Sequence, residues 1–427
     1  MAILQSGEHV GFSVAIIHGR DTIYSQGFGH TDTARTNPVT TDTRFLMASV
    51  SKLIGSTLVM KLVEEGKLTL DHTLLDLLPD FPNPEQAKKI SLRDMISHTS
   101  GLQEYAAVID SMYVRTGNPP SKNDFYDFFR GRELNFEPGT NYSYSNSGFI
   151  LMGMAVERMT GKALQEEFDR VINQPAHLDL RLIKEATDLP EMSDYWENKD
   201  STFISFPHWT WIKGDGGLTA TPTMLAHFPG MWASGQIISK ASFEEMISPT
   251  TLNNGIKTGY GLGVRNGEFY GERVIGHTGG HKSIYSIMVY FPERDLTFVV
   301  MMNTDGVRTS ARNIFGQFAV TYFGWPEPDF SKQEKPHDNL SRYEGLYSTY
   351  DLKIDQTATI KLQDDDKLYY CFRDECYPMT YLGNHKFWIS KWPYDHVVFA
   401  INAQGEVAGI KEYFTGFYAI LRTKVER

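Results

Sequence analysis

Residues 49–66 read SVSKLIGSTLVMKLVEEG, and this stretch does most to decide the fold. Apolar side chains recur in it at helical spacing and Gly66 follows as a stop, so it predicts a helix from Ser49 to Glu65. Positions i and i+3 share one face of a helix, which places Lys52 beside the Ser49 hydroxyl. A partly desolvated lysine can take the proton of a serine, and a helix N-terminus directs N–H groups towards a developing oxyanion. Because Ser-x-x-Lys also occurs by chance at helix caps, it needs corroboration.

A second motif, Tyr144-Ser145-Asn146, supplies that corroboration later in the chain. Tyr144 is suited to carry a proton between the nucleophile and the leaving group. The Asn146 amide can orient Lys52 or the substrate. Taken alone, these residues are equally consistent with a polar turn beside a core tyrosine.

A third motif, His277-Thr278-Gly279-Gly280, lies between strand-like segments. A strand edge with two glycines lets a substrate backbone approach closely. The N–H groups of such an edge can complete an oxyanion hole. An ordinary glycine turn would explain this motif by itself, but three motifs in this order predict a serine acyl-transfer site.

Strand patterns at both ends of the first 325 residues predict one sheet. Residues Val10–Ile17 and Thr22–Phe28 form a hairpin pattern. The stretch that follows the first helix mixes short helical patterns with many turns, so we expect a large, mainly helical insert. The later elements are strand patterns at Tyr260–Val264, Ile284–Phe291 and Leu296–Met302, and a helix from about Ser310 to Tyr322.

A polar, proline-containing stretch precedes a C-terminal region in which the residue pattern changes to short alternating strands. We predict a catalytic domain over residues 1–325, a linker over 326–340 and a C-terminal domain over 341–427. Short alternating strands in the last region are typical of a small antiparallel β-barrel. They include Tyr343–Tyr347, Leu352–Ile354, Thr359–Leu362, Leu368–Tyr370 and Phe417–Ile420.

The composition is that of an ordinary globular protein, with 41% hydrophobic and 22% charged residues. A net charge of −11 argues against a nucleic-acid partner and against a polybasic membrane anchor. No stretch approaches the roughly 20 apolar residues that span a bilayer, so no membrane span is predicted. Residues 1–8 lack the features of a signal peptide, which predicts a cytoplasmic protein; an exported protein with a trimmed N-terminus would look the same.

Cysteine and metal chemistry contribute little to this interpretation. Cys371 and Cys376 flank a polar turn and could pair across a hairpin, but we expect two free thiols. They do not make a zinc site without clustered histidines, and no metal or other cofactor is predicted. The sequence has no G-x-S-x-G elbow, no H-E-x-x-H motif and no G-x-G-x-x-G register, which argues against α/β-hydrolases, metalloenzymes and dinucleotide binding.

Together, the three motifs resemble those of the penicillin-binding-protein and class C β-lactamase superfamily, which includes esterases and D-aminopeptidases. The resemblance runs from about Val10 to Tyr322 and implies an α/β (α+β) β-lactamase/transpeptidase-like domain, an antiparallel sheet flanked by helices. Two further stretches, Leu92–Leu102 and Gly214–Leu218, look like structural turns of that superfamily, and we assign them no catalytic part. The C-terminal barrel resembles the lipocalin-like domains of some D-aminopeptidases and cyclising thioesterases.

The resemblance implies a role for each motif residue, as nucleophile, general base and acid, positioning group or oxyanion hole. The implied site comprises catalytic Ser49, Lys52 and Tyr144, substrate-positioning Asn146, His277, Thr278 and Gly279, and an oxyanion hole from the N–H groups of Ser49 and Gly280.

One position departs from the superfamily pattern. Many members have Lys-Thr-Gly where this chain has His277-Thr278-Gly279. Lysine is a permanent cation suited to a substrate carboxylate, whereas histidine is mostly neutral near pH 7. The difference argues against penicillin turnover and D,D-carboxypeptidase activity and favours uncharged esters, amides or peptide amines. Aromatic residues near the expected pocket would suit an apolar acyl group, although core packing explains them equally well: Tyr105, Phe206, Trp209 and Trp211.

We therefore predict a serine hydrolase that forms an acyl-enzyme on Ser49 with an ester, an amide or a D-amino-acid-containing peptide. Its partner would be a small molecule or a short peptide. Two alternatives stay open: an acyltransferase or peptide-cyclising thioesterase with the same chemistry, and a catalytically silent sensor or scaffold. The intact set of Ser49, Lys52, Tyr144 and Asn146 argues against a silent protein. Formation of a homo-oligomer is also left open.

Overall fold

The computed structural model describes residues 8–187, 189–200, 202–206, 211–307, 309–326, 339–349, 357–390, 395–402, 404–414 and 418–425. Most of the predicted linker over 326–340 lies outside these residues, as do Leu352–Ile354 and Trp209. The domain boundaries at 325 and 341 therefore stay a prediction.

Antiparallel pairing joins the two ends of the N-terminal region in one sheet. Strand by strand across the sheet, its members are β2 (Asp21–Gly29), β1 (Gly11–His18), β11 (Leu296–Met302), β10 (Ile284–Phe291), β9 (Glu272–His281) and β8 (Arg265–Phe269). The early strand β1 pairs with the late strand β11, with Val14 opposite Val300. This arrangement confirms the predicted sheet domain.

Strand β1 is mostly apolar, because both of its faces are buried over residues 11–17. Successive side chains of a strand point to opposite faces. Ala15 and Ile17 therefore join a core that includes residues of the helical insert, whereas Val14 and Ile16 join a second core on the other face. The second core is closed by the helix Ala311–Phe323.

Helices fill the insert between β2 and β8 and cover the sheet. They are α1 (Ser51–Glu64), α2 (Leu74–Leu77), α3 (Pro84–Ala87), α4 (Leu92–Ser97), α5 (Ala106–Thr116), α6 (Lys122–Phe129), α7 (Asn146–Thr160), α8 (Leu164–Phe168), α9 (Gln174–Ala176), α10 (Ile183–Ala186), α11 (Pro222–Ser234) and α12 (Lys240–Ile247). The helix α13 (Ala311–Phe323) follows the last strands of this domain. The insert also contains a small sheet of β3 (Phe45–Leu46), β7 (Leu218–Ala220) and β4 (Arg181–Leu182). In a second small sheet, β5 (Tyr195–Lys199) and β6 (Thr202–Phe206) of the insert join the later strand β12 (Thr304–Asp305). Within the described ranges, no helix combines the length and apolar character needed to cross a bilayer.

The strand predicted over Tyr260–Val264 is wrong. Tyr260 makes a single bridge to Arg265, where β8 begins. Gly263 has a φ of +75°, and a Cβ at that position would lie 2.1 Å from the Ser56 hydroxyl on α1. This glycine-rich stretch therefore turns tightly over the helix, in a conformation and at a distance that only glycine permits.

Eight antiparallel strands close into the predicted C-terminal barrel. They are β13 (Gly345–Ser348), β14 (Thr357–Leu362), β15 (Leu368–Phe372), β16 (Glu375–Gly383), β17 (Lys386–Ile389), β18 (His396–Ile401), β19 (Val407–Phe414) and β20 (Tyr418–Lys424). Alternate side chains such as Ala358 and Ile360 fill its interior. Cys371 and Cys376 lie opposite each other on β15 and β16 and form a disulfide, so the expectation of two free thiols is wrong.

The barrel packs directly on the N-terminal domain. Lys386 of the barrel and Glu268 of β8 form an ion pair at 2.6 Å. A buried apolar group, called here the interdomain cluster, joins the two parts and consists of Tyr142, Leu252, Ile256, Tyr260, Ala400 and Leu421. Tyr144 packs against this cluster, so side chains of the barrel and a residue of the second motif belong to the same packed region.

Candidate active site

The serine of the first motif lies in a strained turn at the start of the first long helix. Ser49 occupies a 3₁₀ turn, Ala48–Val50, which α1 continues. Ala48 has a φ of +45°, a left-handed conformation that a residue with a side chain rarely adopts. The Ser286 hydroxyl on β10 donates to the carbonyl of Met47 at 2.5 Å. The sheet thereby fixes the turn that presents Ser49.

Lys52 is fully buried and bonded on three sides. Its Nζ donates to Ser49 Oγ at 3.0 Å, to Asn146 Oδ1 at 2.7 Å and to the backbone carbonyl of Asp215 at 2.5 Å. Burial lowers the pKa of Lys52 to about 8, although the carboxylates of Asp215 and Glu104 act in the opposite direction. A buried lysine with this pKa can lose its proton near neutral pH.

Asn146 is oriented by a carboxylate that the sequence analysis did not single out. Glu104 accepts a hydrogen bond from the Asn146 backbone N–H at 2.6 Å and another from its side-chain Nδ2 at 3.2 Å. With the amide nitrogen held by Glu104, the amide oxygen faces Lys52. Asn146 is also the first residue of α7, capped by Ser145.

Tyr144 lies close to Lys52 and Arg265 and against a buried histidine. Lys52 Nζ and Arg265 Cζ each lie 5.2 Å from the centre of its ring. The ring of His98 is 4.2 Å away, centre to centre, and its Nδ1 accepts a hydrogen bond from the Ser145 N–H at 3.1 Å. Burial, with Lys52 and Arg265 nearby, holds the pKa of His98 well below its usual range, so His98 is a neutral support.

His277 faces the protein interior. It is fully buried, with Nε2 2.9 Å from the Tyr260 hydroxyl and Nδ1 2.6 Å from the Thr278 carbonyl. Burial, with help from Arg265 and Lys52, holds the pKa of His277 well below its usual range. His277 therefore carries no charge at neutral pH, and it does not line the cavities at Ser49.

The two glycines of the third motif lie inside strand β9 and differ in their surroundings. A Cβ at Gly279 would lie 2.1 Å from Ser286 Oγ and 2.3 Å from the Met47 carbonyl, so the strand presses against the Ser49 turn there. A Cβ at Gly280 would lie 3.6 Å from the ring of Tyr285, an ordinary contact. Gly280 faces the same cavities as Ser49, the placement that an oxyanion hole formed by their two N–H groups requires.

Two cavities of different chemistry meet at Ser49. The larger, of about 410 Å³, is lined by Tyr144, Arg265, Thr278, Arg312 and several hydroxyl groups. The smaller, of about 50 Å³, is lined by Tyr105, Asp110, Asn146, Trp211, Asp215 and His281. Two of the aromatic residues singled out in the sequence, Tyr105 and Trp211, thus reach the site.

The stretches that we took for structural turns also contact the site. His98, at the end of α4, supports Tyr144, and Asp215 supplies the carbonyl that binds Lys52. Arg265 and Glu104 come from segments without a motif, and nothing local in the sequence distinguishes them. Among the described residues, no group of histidine, cysteine and carboxylate side chains could hold a metal ion.

The fold, with a buried lysine bonded to a serine at the start of a helix, defines the class of active-site serine hydrolases. Within that class, residues 2–320 match the family described as Beta-lactamase. The chain belongs to this family.

Two similar proteins of known name extend this assignment. Penicillin-binding protein 4* of Bacillus subtilis (strain 168) is 26% identical over 392 residues, which cover 84% of this chain and 82% of that protein. The D-aminopeptidase of Brucella canis is 26% identical over 325 residues, 73% of this chain and 59% of the relative. This chain therefore spans less than two thirds of the D-aminopeptidase.

Solved structures share the fold at lower sequence identity. The octameric penicillin-binding protein homologue from Pyrococcus abyssi gives a TM-score of 0.67 at 21% identity, over 99% of this chain and 98% of that one. The D-amino acid amidase from Ochrobactrum anthropi SV3 gives a TM-score of 0.61 at 23% identity, over 72% of this chain and 89% of that one.

Proposed function

We propose that the protein hydrolyses esters, amides or D-amino-acid-containing peptides through an acyl-enzyme on Ser49. The observation that carries the proposal is the hydrogen bond from buried Lys52 Nζ to Ser49 Oγ at 3.0 Å. A base within hydrogen-bond reach of a serine is the arrangement that nucleophilic catalysis requires. Asn146 and the Asp215 carbonyl hold Lys52 in this position.

In the proposed reaction, neutral Lys52 takes the proton of the Ser49 hydroxyl while Oγ attacks the substrate carbonyl carbon. The N–H groups of Ser49 and Gly280 stabilise the oxyanion of the tetrahedral intermediate. Tyr144 passes a proton to the leaving group, whose bond to carbon breaks, and the acyl group stays on Ser49. Water then attacks the ester carbon by the same steps in reverse, which releases the acid and restores the serine.

The larger cavity adds a second substrate class to the uncharged substrates that we inferred from His277. Arg265 and Arg312 line it beside Tyr144, so cations are present although position 277 has none. A leaving group with a carboxylate would therefore find a partner. The names of the D-aminopeptidase and D-amino acid amidase relatives agree with amide substrates of D-amino acids.

The test compares p-nitrophenyl butyrate hydrolysis by wild type, Ser49→Ala and Ser111→Ala. Ser111 is an exposed serine on α5 and serves as the matched control. We expect activity in wild type and control and its loss in Ser49→Ala. Activity that survives in Ser49→Ala would contradict the proposal. Adding an amine or an alcohol and analysing the products separates hydrolysis from acyl transfer.

The oligomeric state of the protein is a separate question, and the sequence leaves open whether it forms a homo-oligomer. Light scattering of the purified protein at several concentrations will show whether it forms a homo-oligomer.

A further inference from the structure

The small cavity at Ser49 has an excess of negative charge. Asp110 and Asp215 line it, and the Glu104 carboxylate is near enough that all three contribute to raising the pKa of the Tyr105 phenol well above its usual range, after the larger effect of burial. Lys52 is the cation that faces these groups from α1. Three carboxylates near one lysine favour a second cation in the cavity.

Asp215 lines the small cavity and has a carboxylate oxygen that is buried without a partner in the part of the chain that the structure describes. The residue is 5% exposed, and its Oδ2 accepts a hydrogen bond from the Tyr105 hydroxyl at 2.5 Å. Its Oδ1 is buried without a hydrogen-bond partner among the residues that the structure describes. Leaving a buried carboxylate oxygen unsatisfied is costly, and a donor in the cavity would remove that cost.

Asp110 offers the second carboxylate, closer to solvent. Its side chain is 20% exposed, and Oδ2 lies 3.3 Å from His281 Nε2 at the end of β9. This contact joins α5 to the sheet beside Ser49. A ligand cation can share or replace the imidazole at Asp110. The rings of Tyr105 and Trp211 line the same cavity, and aromatic faces also favour cations.

The size and position of the cavity select the part of the substrate that enters it. A volume of about 50 Å³ is enough for a group of water size, such as an ammonium. Tyr144, which protonates the leaving group in the proposed reaction, lines the larger cavity. The leaving group therefore belongs in the larger cavity and the acyl residue next to the smaller one.

We propose that the small cavity is an ammonium site, anchored by Asp110 and Asp215, and that the acyl residue of the substrate carries a free amino group. This inference rests on the proposed function of Ser49. It gives the rings of Tyr105 and Trp211 a role beside the ammonium, whereas the sequence analysis expected them to contact an apolar acyl group.

The test measures one ratio, kcat/KM for alanine p-nitroanilide divided by kcat/KM for N-acetylalanine p-nitroanilide, with both enantiomers at neutral pH. We expect wild type to prefer the free amine by at least about tenfold, as expected for losing a hydrogen bond between charged groups. Asp110→Asn should lower the ratio by at least about tenfold for the same reason. The control Asp127→Asn, on the exposed face of α6, should leave the ratio unchanged.

A second variant keeps the test decisive if Asp110→Asn does not fold. His281→Gln removes the imidazole that competes for Asp110, so the ratio should rise or stay. Three results would overturn the inference. They are a lower ratio in His281→Gln than in wild type, an unchanged ratio in Asp110→Asn, and a wild-type preference for the acetylated substrate. Hydrolysis of p-nitrophenyl butyrate without any amine preference contradicts the ammonium site alone. If wild type hydrolyses neither the anilides nor p-nitrophenyl butyrate, the result contradicts the Ser49 proposal as well.

Discussion

Lys52 is fully buried close to two carboxylates, and this combination sets its pKa. Burial favours the neutral amine, while Asp215 and Glu104 favour the ammonium. The result is a pKa of about 8, so the neutral fraction of Lys52 rises as the pH rises towards that value. If neutral Lys52 is the base, activity must follow the same curve.

We therefore expect kcat/KM for p-nitrophenyl butyrate to rise with pH and to level off above about 8. Asp215→Asn removes a charge that raises the pKa of Lys52, so the rising limb should move to lower pH. The measurement is a pH profile of wild type and variant with this uncharged substrate. A limb that moves to higher pH in Asp215→Asn would contradict the assignment of Lys52 as base.

His277 yields the second prediction at the residue scale. His277→Lys places a further cation beside Arg265 and Lys52 in a fully buried position, where an unpaired charge is costly. We expect a clear drop in Tm relative to His277→Gln, which can still bond to Tyr260, and no gain in acylation by penicillins. Thermal unfolding and penicillin labelling check the two outcomes. A stable His277→Lys protein that penicillins acylate faster would show that carboxylate recognition was the missing feature.

Among the elements, strand β9 has the strictest spatial requirement. It passes so close to the Ser49 turn that a Cβ at Gly279 would overlap Ser286 Oγ and the Met47 carbonyl. At Gly280, the next residue, a Cβ would make only an ordinary contact with the ring of Tyr285. Gly280 also lines both cavities at Ser49.

The two glycines should therefore respond differently to alanine. Gly279→Ala is expected to lower both Tm and activity, because β9 must move away from the nucleophile. Gly280→Ala is expected to keep a Tm near that of wild type while raising KM. Calorimetry and steady-state kinetics on the two variants check this contrast. Equal Tm values for both variants would contradict the close packing of β9 on the turn.

Sequence reasoning succeeded where the signal is local. The Ser49-x-x-Lys52 helix and the β1–β2 hairpin depend on periodicity within one short segment. It failed at Tyr260–Val264, because β-like composition there is overridden by the close approach of Gly263 to α1. It missed Glu104 and Arg265, because their contacts with Asn146 and Tyr144 are made only once distant segments meet.

In the whole molecule, the barrel supports the catalytic domain through the interdomain cluster. Leu421 of β20 packs with Tyr142 and Tyr260, and Tyr260 contacts both His277 and the region of Tyr144. The sequence could predict the barrel from its alternating strands but not the surface on which it docks, because docking depends on side chains from both parts.

This packing predicts that the barrel affects catalysis. Leu421→Ala and Ile389→Ala each remove a buried aliphatic side chain from the barrel and should cost a similar amount of stability, about 2–5 kcal/mol. Ile389 lies in the barrel interior, away from the interdomain cluster. We expect kcat to fall several-fold in Leu421→Ala and to change little in Ile389→Ala. Equal kcat values in the two variants would contradict a contribution of the barrel to the position of Tyr144.

The acyl-enzyme itself is the most direct test of Ser49 as nucleophile. Wild type is mixed with p-nitrophenyl butyrate, quenched in acid within the first turnovers, digested and mapped by mass spectrometry. The account predicts a gain of one butyryl group on the peptide that contains Ser49 and none in Ser49→Ala. A butyryl group on another residue, present in wild type and in Ser49→Ala alike, would contradict it.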